Sequence, residues 1–119
     1  MKYFSIYVPD PKTNAGAPTG KRKEELDKFI GESLHSGQLL MGGGFLSIAQ
    51  HGVVMRRTNG DIRIIDGPYA ESKELLGGFA ILEFASRDAA IDGARRFLQV
   101  VGDGECVTYQ IMEGPHDGA

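Results

Sequence analysis

Apolar and polar positions along this chain fall into short runs whose periods change from two to near four and back. Lys2 to Val8 is rich in aromatic and β-branched residues and reads as a first strand. Tyr3, Ser5 and Tyr7 share one face and Phe4, Ile6 and Val8 the other, and apolar residues on both suit a central strand covered on two sides. Pro9 to Gly20 is a loop, long for a compact domain, and serves either as a lid or as a flexible entry to the next element. Lys21 to Ser36 then reads as a helix, with Leu26, Phe29, Ile30 and Leu34 as its apolar stripe. Thr19 is placed to be its N-cap and Gly37 its C′ residue.

Gln38 to Met41 has the length of a short strand, and Gly42-Gly43-Gly44 follows it. Three glycines leave no side chain to pack, so they mark a bulge, a bend or a close approach to the backbone. No Lys-Ser/Thr pair follows, so the run is not a phosphate-binding loop. Val53 to Thr58 and Asp61 to Ile65 are joined by Asn59-Gly60 and read as a hairpin with a type I′ turn. Pairing Thr58 with Asp61 sets Arg57 against Ile62, Met55 against Ile64 and Val53 against Asp66, with Val54, Arg56, Arg63 and Ile65 on the reverse face. Both faces mix apolar and Arg side chains, which suits an arm lying over something, such as a partner subunit.

Gly77 and Gly78 introduce Phe79 to Phe84, a nearly continuous apolar run that reads as a buried strand. Ser86 is a good N-cap for a second helix whose stripe is Ala90, Ile91, Ala94, Leu98 and Val101. Glu105 to Met112 is the last strand, and residues 114–119 read as a flexible tail behind a single domain of residues 1–113. The order is strand, helix, strand, hairpin, strand, helix, strand. This α+β order is the ferredoxin-like split βαβ pattern with an inserted β-hairpin. Two helices on one face leave the other face of an antiparallel sheet uncovered, and sheet-to-sheet dimerisation would cover it.

Composition narrows the function classes. With 119 residues, 41% hydrophobic and 24% charged, the chain has the length of one ordinary domain. A net charge of −3 argues against direct nucleic-acid binding, and the run Lys21-Arg22-Lys23 is followed at once by Glu24-Glu25. One cysteine allows no internal disulfide and no multi-cysteine metal site, and no His spacing suggests a metal, so neither metal nor cofactor is expected. The apolar N-terminal run is too short for a signal segment and no window would span a bilayer, so a cytoplasmic protein is expected.

The chemistry concentrates in Asp66-Gly67-Pro68-Tyr69-Ala70-Glu71-Ser72-Lys73-Glu74, a forced turn followed by dense charge. Asp66 is either a general base or acid facing a cleft, or a carboxylate occupied by backbone N–H groups of its own turn. Tyr69 either stacks on a ligand or pins the loop. Glu71, Lys73 and Glu74 supply charge complementarity to a small polar ligand or form a solvated loop. His51 precedes the hairpin and, through Val53, is the imidazole best placed to reach Asp66 for proton transfer, with Arg56 a second basic group nearby. His35 suits a helix C-terminus. Cys106 reads as a packed, inert thiol.

The run from Asp66 to Glu74, continued by Leu75-Leu76-Gly77-Gly78-Phe79, resembles the signature of the DGPF branch of YCII-related proteins, with Tyr69 in place of the Phe. Met1-Lys2-Tyr3-Phe4 and Met41-Gly42-Gly43 resemble the same branch. The resemblance implies a cytoplasmic, mostly bacterial, dimeric α+β barrel, and a His–Asp pair in a cleft is the basis for an enzymatic role in related proteins. The reading that results is a small homodimer with a cleft beside Asp66 for a small polar or aromatic molecule, catalysing proton transfer on it. The alternative is a non-catalytic accessory or regulatory module that binds a protein partner, as the family's neighbourhood with sigma factors implies.

Overall fold

The computed structural model of the chain describes residues 1–14, 16, 18–45, 51–65 and 77–114. Strand β1 spans Lys2–Pro9, helix α1 Gly20–Ser36, and strand β2 Leu39–Gly43. Strands β3 and β4 span Val54–Thr58 and Asp61–Ile65, strand β5 spans Gly78–Glu83, helix α2 Arg87–Val101, and strand β6 Gly104–Gln110. The main sheet runs β2-β5-β1-β6, with every described neighbour pair antiparallel, while β3 and β4 form a separate two-stranded sheet. Each βαβ unit therefore skips a strand that the other unit supplies. This is the expected ferredoxin-like α+β fold with its inserted hairpin.

Both helices lie on one face of the sheet. Tyr3, Ser5 and Tyr7 of β1 point beneath them and are buried, whereas Phe4, Ile6 and Val8 on the reverse face are only half-buried. The expectation of a first strand covered on both sides is thus corrected: within one chain only the helix side is covered. The core centres on Tyr3, Phe84 and Ala90, with Leu82 and Ala89 packed against it. Phe97 of α2 meets Tyr7 edge-on at 5.5 Å between ring centroids and Phe29 of α1 at 6.3 Å. Gly93, absent from the predicted stripe of α2, is itself buried, because a Cβ there would lie 2.5 Å from Phe84 Cζ. The ring of Phe84 occupies the space a side chain would need.

Local signals fared unevenly. Ser86 caps α2 by accepting from the Ala89 N–H at 3.1 Å. Thr19 occupies the N-cap of α1 without a side-chain bond, and Gly37 ends that helix in the left-handed region at φ 83°. The stripe of α1 is shallower than predicted, with Leu34 52% exposed. The glycine run belongs partly to β2, which has an irregularity between Leu39 and Met41. A Cβ at Gly42 would sit 3.0 Å from the Phe79 carbonyl oxygen, so of the three readings of the glycine run the close backbone approach holds, while the irregularity falls before the glycines. The hairpin pairs Thr58 with Asp61, Arg57 with Ile62 and Met55 with Ile64, as predicted, around a turn with Asn59 at φ 51° and Gly60 at φ 83°. Positive φ at both turn residues is the type I′ requirement.

Candidate functional site

Of the residues singled out by sequence, Asp66, Tyr69, Glu71, Lys73 and Glu74 lie outside the described residues, as does His116. His51 and Arg56 are described, and both are exposed. Arg56 stands opposite Arg63 in the β3–β4 ladder, on the face that also carries Val54 and Ile65. Like charges directly opposed across a ladder repel. The Arg63 Nε relieves part of this by donating to Asp61 Oδ2 at 2.9 Å. Arg56, Thr58, Asp61 and Arg63 border a depression of about 480 Å³ on this face. The pairing of Val54 with Ile65 brings the end of β4 beside the start of β3, three residues after His51.

A polar cluster at the far end of β1 was missed by sequence reasoning. The Tyr7 hydroxyl donates toward the carbonyl oxygens of Asp103 at 2.8 Å and Gly102 at 3.0 Å, and accepts from Asn14 Nδ2 at 2.9 Å. The Asn14 amide also reaches the Val101 and Asp103 carbonyls, and its Oδ1 accepts from Arg22 Nη1 at 2.8 Å. Thr13 Oγ1 donates to Asp103 Oδ2 at 2.8 Å, and the Asp10 N–H to the Asp103 carbonyl at 3.0 Å. The start of the long loop after β1 is thereby tied to the α2–β6 turn. Residues 10–14 are thus held by side chains as well as by backbone.

Tyr7 does a second job with its backbone. Its carbonyl oxygen accepts the Gly77 N–H at 2.9 Å, which fixes the residue immediately before β5 against β1. A Cβ at Gly77 would lie 2.7 Å from Tyr7 Cδ2, so glycine is required for this approach. Burial pushes the Tyr7 phenol above its ordinary pKa of 10.0, against the opposing hydrogen bond from Asn14 and the positive charge of Arg22. At neutral pH it is a protonated donor that ties Asn14 to the turn at Gly102 and Asp103, not a proton-transfer group. The only signals available in sequence were an Asn in a loop and a Tyr on a strand face, neither specific.

Among the described residues no cluster of His, Cys, Asp and Glu could hold a metal ion, and no helix is long and apolar enough to cross a membrane. Cys106 is partly accessible, with its Sγ 3.8 Å from Thr108 Oγ1, so the expected packed thiol lies at a surface groove.

Fold and hairpin together define a ferredoxin-like α+β domain with an inserted two-stranded arm. The chain belongs to the YCII-related domain family, whose model matches residues 1–113. An uncharacterized protein of Rhizobium meliloti (strain 1021) is 46% identical over 41 residues, a match covering 34% of this chain and about a third, 33%, of that relative's length. Among solved structures, the chain is similar to 5-chloro-2-hydroxyhydroquinone dehydrochlorinase from Burkholderia phenoliruptrix in complex with 2,5-dihydroxybenzoquinone. That similarity has a TM-score of 0.48 and 15% identity, covering 98% of this chain and 99% of the other.

Proposed function

We propose that this protein is a homodimer that binds a small polar or aromatic molecule beside Asp66 and carries out proton transfer on it. The observation that carries the dimer is the uncovered sheet face. Phe4, Phe79 and Phe45 form a row across it, with centroid separations of 6.3 Å and 5.3 Å. Met41 and Tyr109 extend the same face and are 58% and 59% exposed. The hairpin adds Met55, Ile62 and Ile64 on one side, each at least 60% exposed. A second copy placed sheet to sheet would bury both surfaces, with each hairpin laid over its partner.

The support for the site is the hairpin register. It joins the segment that leads from His51 to the one that leads into Asp66, and it sets Arg56 on the same arm. In this reading Asp66 is the base or acid, His51 its proton partner and Arg56 an anchor for an anionic group, with Tyr69, Glu71 and Lys73 contacting the ligand. The test is a ligand-observed NMR screen of small carboxylic acids and lactones against the wild type and Asp66→Asn. Hits that bind the variant at least ~10-fold more weakly, as loss of a charged hydrogen-bonding partner entails, support the site. Equal binding to both proteins overturns it.

The exposed apolar side of the hairpin favours a second reading, an accessory module that binds another protein. Light scattering separates the two. A stable dimer assigns that surface to a second copy, and a monomer at micromolar concentration leaves it for a different partner.

A further inference from the structure

The helix-covered side of the sheet ends at edge strand β6, and there α2 and β6 leave a groove of about 690 Å³. Small side chains line its middle, with Ile91 and Leu98 adding apolar wall on the helix side. Ala90 and Ala94, one helical turn apart, stand over buried Tyr3, and Cys106 and Thr108 form the strand side. Its volume is in the ordinary range of small-molecule sites, which are mostly apolar with a few placed polar groups.

Arg87 and Arg95 supply the charge. Both are exposed at the edge of the groove, and eight residues along a helix set them roughly 12 Å apart and about 80° around the axis, so their long side chains can converge on one ligand. Neither has an ion-pair partner among the described residues, whereas Arg96 beside them is paired with Asp92 at 3.2 Å. Among the described residues no Asp or Glu lines the groove, although the chain carries 16 acidic against 13 basic residues. A groove whose described lining is apolar and cationic is complementary to an anion with an apolar body.

We infer that the α2–β6 groove binds an amphiphilic carboxylate, its apolar chain lying along Ala90 and Ala94 and its head held by Arg87 and Arg95. Gln99 and Gln110, which also line the groove, add hydrogen-bonding groups to its walls. The groove is on the helix side, so a sheet-to-sheet dimer leaves it open, and none of its residues belongs to the site proposed beside Asp66.

Cys106, the one cysteine of the chain, lines the groove and reports on its occupancy. The experiment measures its alkylation by iodoacetamide in the full chain with decanoate or with the neutral decanol. Saturating decanoate is expected to slow alkylation at least fivefold and decanol at the same concentration less than twofold. An Arg87→Gln/Arg95→Gln double variant with an unchanged thermal melt is expected to lose the protection. No protection by decanoate, equal protection by decanol, or full protection in the double variant each overturns the inference. If the double variant does not fold, the decanoate–decanol comparison on the wild type decides alone.

Discussion

Tyr3 and Tyr109 sit on adjacent strands of one sheet and face opposite ways. Tyr3 is on β1, 4% exposed beneath α2, with Phe84 against its ring at 6.2 Å. Tyr109 pairs with Phe4 across the β1–β6 ladder, one register position away from the Tyr3–Gln110 pair, and is 59% exposed. The two faces are similarly aromatic, yet only one has helices to cover it. Apolar character in a strand therefore says that a surface seeks burial, and the connectivity decides whether the same chain can provide it.

The contrast can be broken most forcefully on the covered side. Tyr3→Ala is expected to lower stability by about 3–5 kcal/mol, the usual cost of truncating a buried aromatic, read from chemical denaturation. Tyr109→Glu should do the reverse. It leaves the monomer's stability within ~0.5 kcal/mol, since surface substitutions away from special features cost little. In the proposed sheet-to-sheet dimer it would bury an unpaired charge, so the dissociation constant is expected to rise at least ~100-fold. A Tyr109→Glu variant that dimerises with wild-type affinity would place the interface elsewhere.

The stapled end of β1 offers smaller effects. Asn14→Ala removes the bond that the Tyr7 hydroxyl accepts and the acceptor of Arg22, and is expected to cost about 1–3 kcal/mol. Faster amide exchange at Gly77 would show that the effect passes through Tyr7 to the Gly77 N–H that its carbonyl holds. The smallest effect is in pH. Below about pH 10 the Tyr7 phenol is protonated in both the folded and the unfolded chain, so its contribution is intact. Above that the unfolded chain ionises first, because burial raises the folded pKa, and stability falls as pH climbs through the folded value. Stability measured against pH in this window is expected to fall less steeply in Tyr7→Phe than in the wild type.

Elements governed by neighbours along the chain were legible in the sequence itself. Asn59-Gly60 demands positive φ at two consecutive positions, and that alone set the hairpin register. Ser86 capped α2 because a hydroxyl three residues before a free N–H finds it locally. The alternation along β1 separated Tyr3, Ser5 and Tyr7 from Phe4, Ile6 and Val8, and the succession of elements led to the fold. Tertiary structure alone decided what those faces meet. Gly93 is buried because Phe84 from another element fills its missing side chain. Asn14, Arg22 and Asp103 converge on Tyr7 because two crossovers bring distant turns to one end of a strand. The α2–β6 groove arises where two short helix side chains face an edge strand. Periodicity records which way a side chain points along its own element, and it carries no information about which element arrives opposite.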